Sequence, residues 1–381
     1  MNILYLIPSL GGSGGAEQAV AAMAEPLQKR GIRLDVAIFS RDDALRGPIE
    51  SAGGRVIKLD ADSIWTRVTH MRRLVSERQP DLVHTTLFDA DIPGRIAAKL
   101  AGVPVVSSLV NVAYGPEQLT NPDLVSWKVE LACRADRLTS RIPSRFHALS
   151  DHVALTMGAR LNIRPELIEV IPRGRDLGRL GQLSTTRRAR VRQSLGIDDE
   201  RPLIIAAARH EFQKGLDVLL RAWPIVRRAE PTAELRLGGR RGAQSPLIDE
   251  LIAHAGPTSG IVDIGLRDDV PDLLCAADTF VVPSRWEGLG SVLIEAMALG
   301  TPVVATDVGP IPNMVGDGWA RLVSSDDGQS LADGIVATIR QSAAERDTRA
   351  SVASNRFSDL YSIDVVANAT SAFYHRALGG D

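Results

Sequence analysis

Short β-branched runs alternate with helical stretches from one end of this 381-residue chain to the other, and few architectures accept that pattern. In the first half, strands are predicted at Asn2–Ile7, Arg33–Phe39, Arg55–Leu59, Leu82–His84, Val103–Ser107, Arg145–Leu149 and Leu167–Ile171. Helical stretches such as Ala16–Arg30, Ile64–Gln79 and Ile92–Ala101 separate them. The pattern breaks from Pro172 to Thr186, where Gly, Arg, Ser and Thr replace any apolar period, so a linker is expected at 173–186. A second series follows, with strands at Pro202–Ala208, Ala233–Leu237, Ile261–Asp263, Thr279–Val282, Pro302–Ala305 and Arg321–Val323, and helices such as Gly215–Arg228 and Leu289–Leu299. A last helix, about Ile363 to Leu378, sets Val365, Val366, Ala369, Ala372 and Phe373 on a helical period. The expected fold class is α/β: two Rossmann-like, doubly wound parallel-sheet domains facing a cleft. Ligands of such sheets bind outside the carboxyl ends of the strands.

Composition narrows the functions. Hydrophobic residues make up 44% and charged residues 24%, which excludes disordered and collagen-like classes. A net charge of −2 supplies no basic field for nucleic acid. Cys133 and Cys275 are far apart, which argues against a disulfide framework or zinc site and fits a reducing cytoplasm. Met1 to Leu10 lacks a basic leader and reads as a first strand, not a signal peptide. No apolar run approaches the roughly 20 residues of a membrane helix.

Three motifs point to chemistry. The first strand ends in Gly11-Gly12-Ser13-Gly14-Gly15-Ala16-Glu17, then a helix. Glycines there let backbone N–H groups approach an anion at the helix start. A dinucleotide fingerprint would need Gly where Glu17 stands, so a phosphate or sugar loop is the better reading. After the first strand of the second half come Arg209 and Lys214, two cations placed to meet a diphosphate and offset the charge that grows as it leaves. The third block runs Pro283-Ser284-Arg285-Trp286-Glu287-Gly288-Leu289-Gly290-Ser291-Val292-Leu293-Ile294-Glu295. Glu287 stands before a Gly-containing turn and Glu295 on the helix after it. Paired glutamates around an N–H-rich turn suit a nucleotide sugar.

Together these blocks resemble the retaining glycosyltransferases of family 4, which have the GT-B fold. Val170-Ile171-Pro172, Gly265 to Leu274 and Thr301 to Gly309 also resemble segments of that family. The resemblance implies an acceptor domain at 1–172, completed by the C-terminal helix from about 360 to 381, and a donor domain at 187–359. It implies that Glu295 holds the donor ribose and that Glu287 contacts the transferred sugar. Gly288, Leu289, Gly290 and Ser291 would meet the sugar or phosphates. Arg209 and Lys214 would bind the diphosphate, Leu266 and Arg267 would border the base, and Gly14 and Gly15 would close over the donor. Catalytic roles fall to Glu287, Arg209 and Lys214. The donor would be a nucleoside-diphosphate sugar, UDP or GDP, with no metal and no resident cofactor. The family retains anomeric configuration, with attack on the face that the diphosphate leaves.

Three places depart from the family pattern. Thr86 stands where a second His, after His84, is usual, and Asp89 or Asp91 is a partial substitute. Arg173 replaces a usual Asn, and Asn313 a usual Glu. With Glu17, the residues His84, Thr86, Asp89, Asp91 and Arg173 form a weaker acceptor or sugar set. Asp89-Ala90-Asp91 and Asp60-Ala61-Asp62 are D-x-D matches of the kind that occurs by chance. Arg134, Arg137, Arg141 and Arg145, with Lys128 nearby, read either as a solvated helix face or as a contact with an anionic membrane or polyprenyl phosphate. Two other functions stay open: an NAD(P)-dependent two-domain oxidoreductase, and a non-catalytic nucleotide-sugar binder.

Overall fold

The computed structural model describes residues 1–381 except 13, 62, 116–124, 317 and 381. Ser13 of the glycine loop and Asp62 of the second D-x-D therefore lie outside the described residues. The chain divides into two compact units, Met1–Arg175 with Leu360–Asp381, and Asp176–Asp359.

The first unit is built on a seven-stranded parallel sheet: β1 (Asn2–Leu6), β2 (Arg33–Ile38), β3 (Val56–Lys58), β4 (Leu82–Thr86), β5 (Val105–Leu109), β6 (Arg145–Ala148) and β7 (Ile168–Val170). The spatial order is β3-β2-β1-β4-β5-β6-β7, so the strand sequence reverses direction between β1 and β4. β4 is buried at all five positions, as a central parallel strand covered on both faces should be. It runs two residues beyond the predicted end, because Thr85 and Thr86 continue the pairing with β5.

The helix Ile363–Ala377 returns to this unit and packs Val366, Phe373 and Tyr374 into the same core as β1, β2 and the Gly15–Gln28 helix. Val365, expected on its inner face, is 39% exposed; Ala367 and Tyr374 are buried instead. A hydrogen-bond chain fixes the docking. His147 Nε2 lies 2.6 Å from the Ile171 carbonyl, which can only accept, so Nε2 carries the proton. His147 Nδ1 then accepts from Ser108 Oγ at 3.0 Å. Ser108 Oγ in turn accepts from His84 Nε2 at 2.7 Å, and His84 Nδ1 accepts from the Tyr374 hydroxyl at 2.8 Å. Both imidazoles are thus held neutral, and burial pushes both pKa values down, that of His147 to about 4.

The second unit carries a six-stranded parallel sheet: β8 (Leu203–Ala207), β9 (Glu234–Gly238), β10 (Ile261–Gly265), β11 (Thr279–Val282), β12 (Val303–Thr306) and β13 (Arg321–Val323). Its order is β10-β9-β8-β11-β12-β13, with the reversal between β8 and β11. The helix Leu216–Ala229 buries Leu216, Leu219, Leu220, Trp223 and Val226, residues at helical spacing that form one face of the core. The stretch expected as a bare linker contains the helix Leu177–Leu180, N-capped by Asp176, and the first two residues of a second helix, Thr185–Ser194, N-capped by Ser184. Charge rather than apolar periodicity holds the second one: Arg187 pairs with Asp272 at 2.6 Å, and Arg188 and Arg192 with Asp278 at 2.6 and 3.1 Å.

Candidate active site

In each sheet, the point where strand order reverses leaves a crevice at the carboxyl ends of two neighbouring strands. In the second unit those strands are β8 and β11, and the loops leaving them are the two blocks singled out in the sequence. After β8 the chain makes a 3₁₀ turn at Phe212–Lys214 and enters its helix through Gly215, whose φ is +60°. A Cβ on Gly215 would lie 2.0 Å from the Pro283 carbonyl oxygen, so only glycine lets the two loops touch.

That approach joins Lys214 to Glu287. Lys214 Nζ donates to Glu287 Oε1 at 2.6 Å, and Ser284 Oγ donates to the same oxygen at 2.8 Å. Glu287 is buried, with Gly309 packed behind it; a Cβ at Gly309 would stand 2.7 Å from the Glu287 carbonyl. Beside the pair, the Arg209 side chain is exposed and makes no hydrogen bond or ion pair among the described residues. Lys214 is already neutralised by Glu287, whereas Arg209, just past the end of β8, has no such partner among the described residues. Gly290 caps the helix Ser291–Leu299 with φ +76°, and Gly288, Leu289 and Gly290 are buried at its start. Glu295 follows on the second turn, half-buried. The N-terminal dipole of that helix adds positive potential.

Two residues of this region carry positions that sequence reasoning did not assign. Arg285 forms a fork on Asp217, both bonds 2.9 Å, and donates to the Phe212 carbonyl at 2.7 Å. It clamps the β11 loop to the β8 loop. Its signal was its place inside the glutamate block, one residue from Trp286. His210 is fully buried next to Arg209; its Nδ1 meets Ser245 Oγ at 3.2 Å, and burial pushes its pKa down. Leu266 and Arg267 leave the end of β10, two strands from β8. Leu266 is 70% exposed, and Arg267 is held by Asp269 at 2.5 and 2.7 Å with its stem 3.7 Å from where a Gly238 Cβ would stand.

In the first unit the reversal lies between β1 and β4. Glu17 turns back into its own loop: Gly14 N–H donates to it at 3.1 Å and Ser9 Oγ donates to its other oxygen. A Cβ on Gly11 would fall 2.0 Å from Asp42 Oδ2 and displace that exposed side chain. Gly14 and Gly15 open the following helix and are half-buried. Across the reversal, Leu87 has φ +74°, a costly conformation for a branched residue, at the exit of β4. Thr86 is buried, its hydroxyl 2.5 Å from that of Tyr5. His84 belongs to the chain that holds Tyr374. Asp89 and Asp91 diverge: Asp89 is exposed and pairs with Arg67 at 3.3 Å, whereas Asp91 is buried, accepts from Thr85 at 2.6 Å, and is pushed by burial to a pKa of about 7. Arg173 is half-buried at the rim of an apolar cavity of about 60 Å³ that Tyr5, His84, His147 and Tyr374 also line. Asn313 sits in the short helix Ile311–Val315, where its carbonyl accepts from Arg356. Among the described residues, no three His, Cys, Asp or Glu side chains cluster as a metal site would require.

Known proteins match this chain over most of its length. Residues 14–174 match the family described as glycosyl transferase 4-like domain, and residues 201–341 that described as glycosyl transferases group 1. The D-inositol 3-phosphate glycosyltransferase of Arthrobacter sp. (strain FB24) is 28% identical over 361 residues, 86% of this chain and 81% of that one. The lipopolysaccharide core biosynthesis mannosyltransferase LpsB of Rhizobium meliloti (strain 1021) is 31% identical over 193 residues, 48% of this chain and 54% of that one. The crystal structure of Anabaena Alr3699/HepE in complex with UDP-glucose matches with a TM-score of 0.85 at 25% identity, over 99% of this chain and 100% of that one. With two such sheets, and loops of this composition at both reversal points, the chain belongs to the group 1, family-4-like glycosyltransferases of GT-B fold and is an enzyme that takes its sugar from a nucleotide-sugar donor.

Proposed function

We propose that this enzyme transfers a sugar, with retention of anomeric configuration, from a UDP-sugar to a hydroxyl acceptor, without a metal ion. The observation that carries the reading is the joined Lys214–Glu287 pair at the β8/β11 crevice, with Arg209, unpaired among the described residues, just past the end of β8. A diphosphate needs cations there, and its charge rises as the bond to the anomeric carbon breaks. Arg209 and the Ser291–Leu299 helix N-terminus meet that charge, and Lys214 is free to shift from Glu287 to a phosphate oxygen. Glu287 then turns to the sugar hydroxyls, and Glu295 holds the ribose. Uridine is the favoured base because HepE is described in complex with UDP-glucose. The anomeric carbon–phosphate oxygen bond breaks and an anomeric carbon–acceptor oxygen bond forms on the same face. The acceptor proton passes to the departing diphosphate, so no strong protein base is needed. The first unit, with Glu17 and Arg173, takes the acceptor side, whereas its Gly14 and Gly15 are donor contacts. A nucleotide-sugar donor and two distant, unpaired cysteines fit a reaction in the cytoplasm.

A thermal-shift panel in EDTA with UDP, GDP, ADP, CMP, NAD and NADP tests the reading, since a ligand that binds only the folded state raises Tm. UDP should give the clear shift, Glu295→Ala should abolish it, and Glu287→Ala should keep it while lowering UDP-glucose turnover about a hundredfold or more. A shift with NAD or NADP alone would make the protein an oxidoreductase. Wild-type turnover in both glutamate variants would place the site elsewhere.

A further inference from the structure

The helix Ser126–Thr139 turns its largest apolar side chains outward. Trp127 is 64% exposed, Leu131 59% and Leu138 68%, the reverse of what an amphipathic surface helix does. Single exposed leucines are ordinary, but these three share one face. At about 100° per residue they fall within about 40° of arc, along about 16 Å of helix. The opposite face explains the orientation. Asp136 is buried there, with Arg95 Nη1 at 2.5 Å and the Tyr114 hydroxyl at 3.0 Å, and Thr139 is buried beside it. Arg95 is itself fully buried, so the pair fixes the rotation of the helix and leaves the Trp–Leu stripe to the outside.

Charge identifies what covers the stripe. Lys128 flanks it on one side and Arg134 on the other, both exposed; Arg137 is exposed one step further round, and the exposed Arg141 follows the end of the helix. Within 125–141 the one exposed acid is Glu130, held by Arg134 at 2.9 Å. Arg145, which the sequence spacing would add to a basic stripe, lies instead in β6 and pairs with Glu169 at 3.2 Å. A narrow apolar ridge containing a tryptophan, bordered by cations on both sides, matches the acyl–headgroup boundary of an anionic bilayer. No helix among the described residues is long and apolar enough to cross a membrane. We infer that the Ser126–Thr139 helix docks the first unit on an anionic phospholipid surface, with Trp127, Leu131 and Leu138 inserted and the arginines on the headgroups. The inference stands independently of the donor assignment.

Sedimentation of the full chain with vesicles tests it. The protein should pellet with vesicles of phosphatidylglycerol mixed into phosphatidylcholine, stay in solution with phosphatidylcholine alone, and show a blue shift of emission that Trp127→Phe removes. Leu131→Ser with Leu138→Ser should weaken partition at least about tenfold. Arg134→Gln with Arg141→Gln should weaken it about tenfold or more and flatten its salt dependence. Circular dichroism and an unchanged UDP-induced thermal shift check that the variants are folded. Failure to pellet with anionic vesicles, equal binding to neutral ones, or wild-type partition of the double-serine variant would overturn the inference. So would light scattering showing a dimer that the double-serine variant dissociates, because the stripe would then be covered by a second copy of the chain.

Discussion

Acid should loosen the grip of the returning C-terminal helix through His147. The ring spans Ser108 and the Ile171 carbonyl, and burial holds its pKa down at about 4. A histidine in the unfolded chain titrates near 6.5. Between those values the unfolded state carries a proton that the folded state refuses, so stability rises with pH. The contribution is complete above about pH 6.5 and drains away as pH falls toward 4. The slope is about 1.4 kcal/mol per pH unit, or about 3 kcal/mol across the interval. His84, pushed in the same direction by burial, steepens the loss, whereas Asp91, raised to about 7, works against it: its stabilisation is full at low pH and is lost as pH rises toward 7. His147→Gln isolates the effect, since glutamine can keep the donation to Ile171 and cannot titrate. Hydrogen exchange by mass spectrometry over Ile363–Ala377, corrected for intrinsic rates, gives the opening free energy of the helix at each pH. The wild-type curve should fall more steeply than the variant curve below pH 6.5, by up to one proton's worth of slope. Parallel curves would refute the reasoning, because an offset alone reports a lost contact and not a titration.

Other perturbations have definite outcomes. Gly215→Ala forces a Cβ to 2.0 Å from the Pro283 carbonyl in a left-handed backbone, and should abolish UDP binding while the first unit stays folded, as read by thermal shift and hydrogen exchange. Arg95→Leu strands the Asp136 carboxylate in the interior; the urea stability of the first unit should drop by about 3–5 kcal/mol, and Asp136→Asn in the same chain should recover part of it.

Much of the fold was legible in the sequence, because a parallel strand buried on both faces is dominated by apolar and β-branched residues. β8 and β11 each announce themselves that way, and the helix Leu216–Ala229 does so by its spacing. The loops proposed to hold the donor were legible for a related reason. Gly215, Gly288 and Gly290 stand where a strand gives way to a helix, and glycine there has few uses other than close backbone approach. The helices at 177–194 were not legible, since their stability comes from Arg187, Arg188 and Arg192 reaching acids some 85 residues away in sequence. Val365 and Tyr374 misled in opposite ways. The helical period shows which residues can share a face, whereas the hydroxyl bond to His84 decides which edge of that face turns inward.

What the sequence determined by itself was local: where strands and helices fall, that the sheets are parallel, and which loops can approach an anion. Tertiary structure decided everything that needs two distant segments to meet. It set Lys214 against Glu287, 73 residues apart, and buried Thr86 and His84 in the interior of the first unit. It also turned Trp127, Leu131 and Leu138 to the outside by burying Asp136 on Arg95. The physical reason is one and the same: short-range periodicity follows from backbone geometry, but the orientation of a side chain is settled by the partner it finds, and that partner is brought in by the fold.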